Sequence, residues 1–146
     1  MRSMRIAIVS LALSLPLLAG CSAHGQYCDA VESAQPKLVD FGKKSTKAFA
    51  SYAKVTKEIA DVAPEDVAKE WKTISEATGA VVKEQRSAKI DLSDMDERAK
   101  LGSLSREQIN DLNQAYLDFN DTQQARKAVV ADVKEKCKID LTKEKK

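Results

Sequence analysis

Among the three cysteines of this chain, Cys28 and Cys137 stand close to the two limits of the part that can fold, and their fate constrains the architecture more than any other feature. A bond between them would close a loop of about 109 residues and stabilise by up to about 4–5 kcal/mol in the chain-entropy model. It would also force the segments that carry them to meet, because bridged Cα atoms lie within about 7 Å of each other. The alternative is two free thiols. No Cys-x-x-Cys pattern occurs, which argues against a redox-active centre and for a structural bridge. Whether the two are left as an even pair depends on Cys21.

Residues 1–20 have the three parts of a secretory signal. A basic start, Met1 to Arg5, precedes an apolar run from Ile6 to Leu18. That run is too short to cross a hydrocarbon core of about 30 Å as a stable helix. It ends in Leu18-Ala19-Gly20-Cys21, which resembles the lipobox of bacterial lipoproteins. Small residues at Ala19 and Gly20 let the backbone lie close in a peptidase groove, and a Cys21 thiolate can take up a diacylglyceryl group. The plainer alternatives are an ordinary cleaved signal with an incidental cysteine, or an uncleaved anchor. Lipidation at Cys21 is the expectation, with palmitate-type chains holding the protein on the extracytoplasmic face of the cell membrane. Cys28 and Cys137 then remain as an even pair in an oxidising compartment, where disulfides persist.

The chain has 146 residues, enough for one modest core. Its formal charge of +2 comes from Arg2 and Arg5, both inside the export segment, so the remainder is formally neutral. No basic excess is left to bind nucleic acid. Ala, Lys, Glu, Asp, Val and Leu dominate, with 5 Gly and 3 Pro, a helix-forming composition. Strand-like alternation and hairpin signals do not occur.

Three helical patterns are expected. The first runs from about Cys28 to Val62, with Leu38, Phe41, Ser45, Ala48/Phe49, Tyr52, Val55, Ile59 and Val62 at spacings of three and four. Pro36 interrupts its beginning and predicts a turn or a kinked start there. Ala63-Pro64-Glu65-Asp66 reads as a break and a new start, with proline and two acids suited to a first helical turn. Val67, Trp71, Ile74, Ala77/Thr78 and Val81 form the second stripe, weakened by Gly79 and fading near Arg86. Residues 87–104 lose periodicity and read as a connector, with one short helix expected over about 94–101. Ser105-Arg106-Glu107-Gln108 fits a capping box, after which Ile109, Leu112, Tyr116, Phe119, Gln123, Val130, Val133 and Cys137 continue a third stripe.

The fold class expected is all-α, a bundle of three long helices closed by one disulfide. In a simple up-down-up arrangement the start of the first helix and the end of the third would lie about 35 Å apart. A Cys28–Cys137 bond therefore predicts that the second and third helices are parallel, with residues 87–104 as a long crossover connector that climbs the bundle. The domain plan is a signal at 1–20, a lipidated tether at 21–27, a helical domain at 28–141 and a charged tail at 142–146.

Tyr27-Cys28-Asp29 after the lipobox, Ala63-Pro64-Glu65 with Trp71 downstream, and Cys137-Lys138-Ile139-Asp140-Leu141 span most of the exported chain. In these motifs it resembles a group of small actinobacterial cell-envelope lipoproteins of no established function. The group often has glycine after its second cysteine, where this chain has Lys138. The resemblance implies a helical fold, a bridge and a lipid anchor, and no activity.

Candidate chemistry is sparse. His24 is the only histidine and lies in the tether, so no metal site or catalytic dyad can be built on it. No nucleophile elbow or glycine-rich phosphate loop occurs. Asp91, Asp94, Asp96 and Glu97 are the densest acids but lack the spacing and glycine of a calcium loop, and read as a helix cap and solvated face. Lys43, Lys44, Lys47, Lys54 and Lys57 could rest on anionic head groups, or simply solvate their helix. Trp71, Phe49, Tyr52, Tyr116 and Phe119 stand at core spacing and are equally the candidates to line a groove for an apolar ligand. The leading expectation is a non-enzymatic, lipid-anchored interaction module of the cell envelope, without cofactor or metal, whose partner is another envelope component. The alternative is a small-molecule or lipid-binding protein with a cavity inside the bundle.

Overall fold

A computed structural model describes residues 22–39, 47–90 and 101–143. Five helices occupy them: α1 (Ser22–Val39), α2 (Lys47–Ala60), α3 (Glu65–Ala88), α4 (Arg106–Asp121) and α5 (Gln123–Lys136). No strand occurs among the described residues.

Helix α3 is the central rod and packs against α2, α4 and α5. It begins where the sequence calls for it. Pro64 is its N-cap residue, and the Pro64 carbonyl accepts from Val67 N–H and Ala68 N–H at 3.0 and 2.9 Å. Glu65 and Asp66 place acids in the first turn, where the helix dipole favours them. It ends in a Schellman motif: Lys89 N–H reaches Arg86 O, and Ile90 N–H reaches Gln85 O at 3.0 Å. That geometry puts Lys89 in the left-handed region at φ 52°, a conformation more comfortable for glycine. Ile90, just beyond, is buried and closes the end.

Side-chain pairs fix the direction of the other helices. Lys136 at the end of α5 meets Asp66 at the start of α3, and Gln85 near the end of α3 bonds Tyr116 of α4. So α3 runs antiparallel to α4 and α5. Tyr27 and Cys28 in the first half of α1 meet Trp71 and Cys137, which places the start of α1 at the same end as the start of α3 and the end of α5. Helix α2 ends at this end too, one short turn before α3. The bundle is therefore up-down-up-down, with α4 and α5 together forming the fourth rod.

This corrects the expected three-helix crossover. The disulfide is present, with Cα atoms 5.3 Å apart, yet the second and third expected helices are antiparallel and no connector has to climb the bundle. The reason lies in the first stripe. Its three-and-four spacing ran on through Phe41 and Ser45, but α1 and α2 are separate helices that pack against each other. One extra reversal makes α1 and α5 antiparallel neighbours, and the bridge follows without a crossover. The helix expected over about 94–101 lies almost entirely outside the described residues.

Two further boundaries differ. The expected tether is helical from Ser22, and Tyr27, assigned to it, is fully buried. Tyr27, Val31, Ala34 and Leu38 form a stripe at spacings of four, three and four that continues through Pro36, whose ring lies on an exposed face. The third stripe breaks at Thr122, whose N–H and hydroxyl both donate to Phe119 O, at 3.1 and 2.7 Å. The break shifts the phase of the helix. Leu112, Ala115 and Phe119 are buried before it and Val129 and Val133 after it, while Gln123 is exposed and Ile109 is 38% exposed. The capping box at the start of α4 forms as expected: Gln108 N–H donates to Ser105 Oγ at 3.1 Å, and Ser105 N–H to Gln108 Oε1 at 3.0 Å.

Candidate functional site

The densest arrangement of polar groups in the core lies at the end where the disulfide sits. Trp71, 1% exposed, is placed by the first half of α3's buried stripe, one turn after Val67. Its Nε1–H donates to the Tyr27 hydroxyl at 3.0 Å, and that hydroxyl donates to Asp132 Oδ2 at 2.8 Å. Asp132 pairs with Lys136 one turn along α5, and Lys136 also pairs with Asp66. A line of hydrogen bonds thus runs from the centre of the core to the surface, linking α1, α3 and α5. The Cys28–Cys137 bond lies beside it in sequence and in space.

The clasp ties three helices together. Burial pushes the Tyr27 hydroxyl well above the usual tyrosine range, and the Asp132 carboxylate adds to the rise, while the Trp71 bond works against it. The hydroxyl both accepts from Trp71 and donates to Asp132, and so relays the hydrogen bonding from the core towards the surface. Hydrogen bonds from Lys136 hold the Asp66 carboxyl below its usual range, and those to Asp132 and Asp66 hold the Lys136 ammonium above its own.

The five aromatic groove candidates divide between two places. Trp71 belongs to the clasp. Phe49, Tyr52, Tyr116 and Phe119 form a layer in the other half of the bundle, with edge-to-face ring pairs Phe49–Tyr116 at 5.7 Å, Phe49–Phe119 at 5.2 Å and Tyr52–Phe119 at 6.5 Å between centroids. Tyr52 and Phe119 are buried, and Phe49 and Tyr116 are half-buried against the same core. Burial raises the Tyr52 hydroxyl to about 12, opposed by nearby Arg126, and raises Tyr116 despite its bond from Gln85. The Arg126 guanidinium lies 4.7 Å from the Phe119 centroid, in cation–π range.

Clefts lined by described residues open beside α3. One, of about 580 Å³ between α2 and α3, has Ala60 and Ala68 among its walls with Lys57, Lys69 and Lys72 around them. The other, of about 320 Å³ between α3 and α5, is lined by Lys69, Glu70, Thr73, Gln124, Ala125 and Ala128. None of the five aromatics lines either cleft.

Other candidates from the sequence are placed as follows. His24 is exposed in the first turns of α1. Lys54 and Lys57 are exposed on α2 and pair with Glu58 and Asp61, whereas Lys43 and Lys44 and the acids Asp91, Asp94, Asp96 and Glu97 lie outside the described residues, as does Cys21. Among the described residues no group of His, Cys, Asp and Glu is placed to hold a metal ion, and no helix is long and apolar enough to cross a membrane. Nothing in the sequence marks out Asp132 and Lys136, and Tyr27 enters the sequence reading only within the Tyr27-Cys28-Asp29 motif. Tyr27 carried a usable signal, since it stands four residues before Val31 and directly before a cysteine. No protein-family model, curated protein or solved structure matches this chain.

Proposed function

We propose that the protein is a lipid-anchored, extracytoplasmic interaction module of the cell envelope, attached to the membrane through Cys21 and without enzymatic activity of its own. The observation that carries this reading is the division of the cysteines. Cys28 and Cys137 are bonded to each other, which leaves Cys21 as the odd thiol, directly after Leu18-Ala19-Gly20. A disulfide of this kind persists in an oxidising compartment and is rare in a reducing one. The motifs shared with small actinobacterial cell-envelope lipoproteins support the same address. Helix α1 starts at Ser22, so the bundle would stand directly on its anchor with no slack between them.

The interaction reading is favoured over a ligand cavity by the packing of the aromatics. Trp71 is buried and hydrogen-bonded, and the layer of Phe49, Tyr52, Tyr116 and Phe119 is ring against ring. Metabolic labelling with palmitate tests the anchor. Label is expected on the wild-type chain and absent from Cys21→Ala, with the Cys28–Cys137 bond formed in both. Label that persists in Cys21→Ala, or a wild-type chain that takes none, overturns the proposal.

A further inference from the structure

Thiols, indoles and phenols are the side chains that give up a single electron most readily. Among the described residues no free thiol competes, because Cys28 and Cys137 are bonded to each other. An electron drawn from the bundle therefore comes from Trp71, Tyr27, Tyr52 or Tyr116, and the fold does not treat these four alike.

What separates them is the group that each polar atom meets. A phenol that has lost an electron is a strong acid, so the loss is favoured where a base stands ready for the proton. Such a base acts within hydrogen-bond reach, about 2.6–3.2 Å. The Tyr27 hydroxyl donates to Asp132 Oδ2 at 2.8 Å, inside that range. The other Asp132 oxygen pairs with Lys136, which holds the carboxylate in place. Lys136 also pairs with Asp66, so this group of three charges is negative by one, and negative charge favours loss of an electron nearby. The Tyr116 hydroxyl instead accepts from the Gln85 amide nitrogen, a donor that takes no proton. Tyr52 packs on Phe119, whose ring carries the Arg126 guanidinium at 4.7 Å, and positive charge there opposes oxidation.

Trp71 completes the arrangement. Its Nε1–H donates to the Tyr27 oxygen at 3.0 Å, so an electron vacancy formed on the indole passes to the phenol across one hydrogen bond. The same N–H then stabilises the oxygen that carries the unpaired electron. Tyr27 has no exposed surface and Trp71 almost none, which blocks coupling with a second radical.

We infer that Tyr27, Trp71 and Asp132 form a redox site: a one-electron oxidant at the protein surface draws an electron from it, and the vacancy comes to rest on Tyr27. The step balances with no further reactant. The oxidant gains one electron; Tyr27 loses that electron from its ring and its phenolic proton to Asp132. The products are the reduced oxidant, a neutral tyrosyl radical and a protonated Asp132. Where Trp71 is oxidised first, Tyr27 returns the electron to the indole, whose N–H stays in place. Because both rings are buried, the oxidant acts by electron transfer through the intervening side chains and not by contact. Organic radicals formed at the surface are of this class. The site goes beyond the interaction reading and stands without it.

The test uses the full-length chain and flash-generated tris(bipyridyl)ruthenium(III) as the oxidant. The expected product is a neutral tyrosyl radical, followed by transient absorption and paramagnetic resonance, with no dityrosine. Its formation should be slower in heavy water, because proton and electron leave together. Tyr27→Phe should replace the tyrosyl signal by a tryptophanyl one, whereas Tyr52→Phe and Tyr116→Phe should keep the wild-type signal. Asp132→Asn preserves the size of the side chain and removes the base. In that variant, with helicity and the Cys28–Cys137 bond intact, the radical should form about a hundredfold more slowly, the scale of a positioned base. A tyrosyl signal that survives Tyr27→Phe at the wild-type rate overturns the inference, as does one lost in Tyr52→Phe or Tyr116→Phe. So does a rate unchanged by folded Asp132→Asn. An equal rate in heavy and ordinary water refutes it on the wild-type chain alone, whatever the stability of the variants.

Discussion

At one end of the bundle a disulfide and a chain of polar groups tie α1 to α3 and α5; in the other half, four aromatic rings hold α2 against α4. The first region is directional. Cys28–Cys137, Trp71 Nε1 to Tyr27 and Tyr27 to Asp132 each admit one geometry and one pair of elements. The second is a packing solution, edge-to-face rings with one polar bond from Gln85 Nε2 to the Tyr116 hydroxyl at 2.7 Å. The difference assigns each region a job. The clasp specifies where the chain's first helix goes, and the aromatic layer supplies apolar burial that many side chains of similar size could supply.

The largest expected effect comes from opening the clasp. Replacing Cys28 and Cys137 by serine together should lower the unfolding free energy by up to about 4–5 kcal/mol in the chain-entropy model. Denaturant titration measures this. Hydrogen exchange should show α1 amides losing protection before those of α3. If α1 stays as protected as α3, the rest of the core holds that helix and the clasp is redundant. Phe119→Ala in the aromatic layer should cost about 3–4 kcal/mol, as truncations of buried aromatics do. Its signature should be opposite in place: α2 and α4 loosen while α1 keeps its protection and the disulfide stays intact. Equal loss of protection in α1 would mean that the two regions unfold as one and the division is wrong.

Alkaline titration compares the regions through the chain's three tyrosines, one in the clasp and two in the layer. Burial raises all three hydroxyls, Tyr52 to about 12. A tyrosine with a raised pKa in the folded state contributes stability that is whole below the unfolded value near 10 and lost as pH climbs towards the folded value. For Tyr52 the loss at full ionisation is about 2–3 kcal/mol. Tyrosinate absorbance should therefore stay low through pH 10 and rise together with loss of helicity. A gradual rise near pH 10 with helicity unchanged would show that these hydroxyls are open to solvent.

Much of this was legible in the residues, and the misreadings have physical causes. The second stripe holds at every named position from Val67 to Val81, because α3 is packed on several sides and its apolar pattern has no slack. The capping box at Ser105 and the break at Pro64 are local chemistry, and local chemistry transfers. The reversal between α1 and α2 is not local. Two helices that keep a common phase of apolar residues look like one, and only contact with the rest of the bundle separates them. The clasp was half visible. Cysteine counting points to the bridge, but a polar stretch directly after Cys21 reads as a tether, and that reading hides Tyr27. Packing of Tyr27 against Trp71 and the adjacent bridge hold that stretch in the bundle as helix. Asp132 and Lys136 could not be chosen from among so many charged residues without knowing which turn of α5 faces Tyr27.

The smallest expected effect is also a comparison of the two ends. Each long rod finishes on a lysine in the left-handed region: Lys89 at φ 52° after α3, and Lys138 at φ 59° after α5, directly following Cys137. Left-handed backbone costs a residue with a Cβ about 1–2 kcal/mol, and glycine escapes it. Glycine also gives the unfolded chain more freedom, which takes back about 0.4–1 kcal/mol. Lys89→Gly should therefore stabilise by about 0.5–1 kcal/mol, read from the thermal midpoint. Lys138→Gly should gain less, because Lys138 Nζ donates to Glu135 O at 2.6 Å and the substitution removes that C-terminal cap. A larger gain at Lys138 than at Lys89 would mean that this bond contributes nothing.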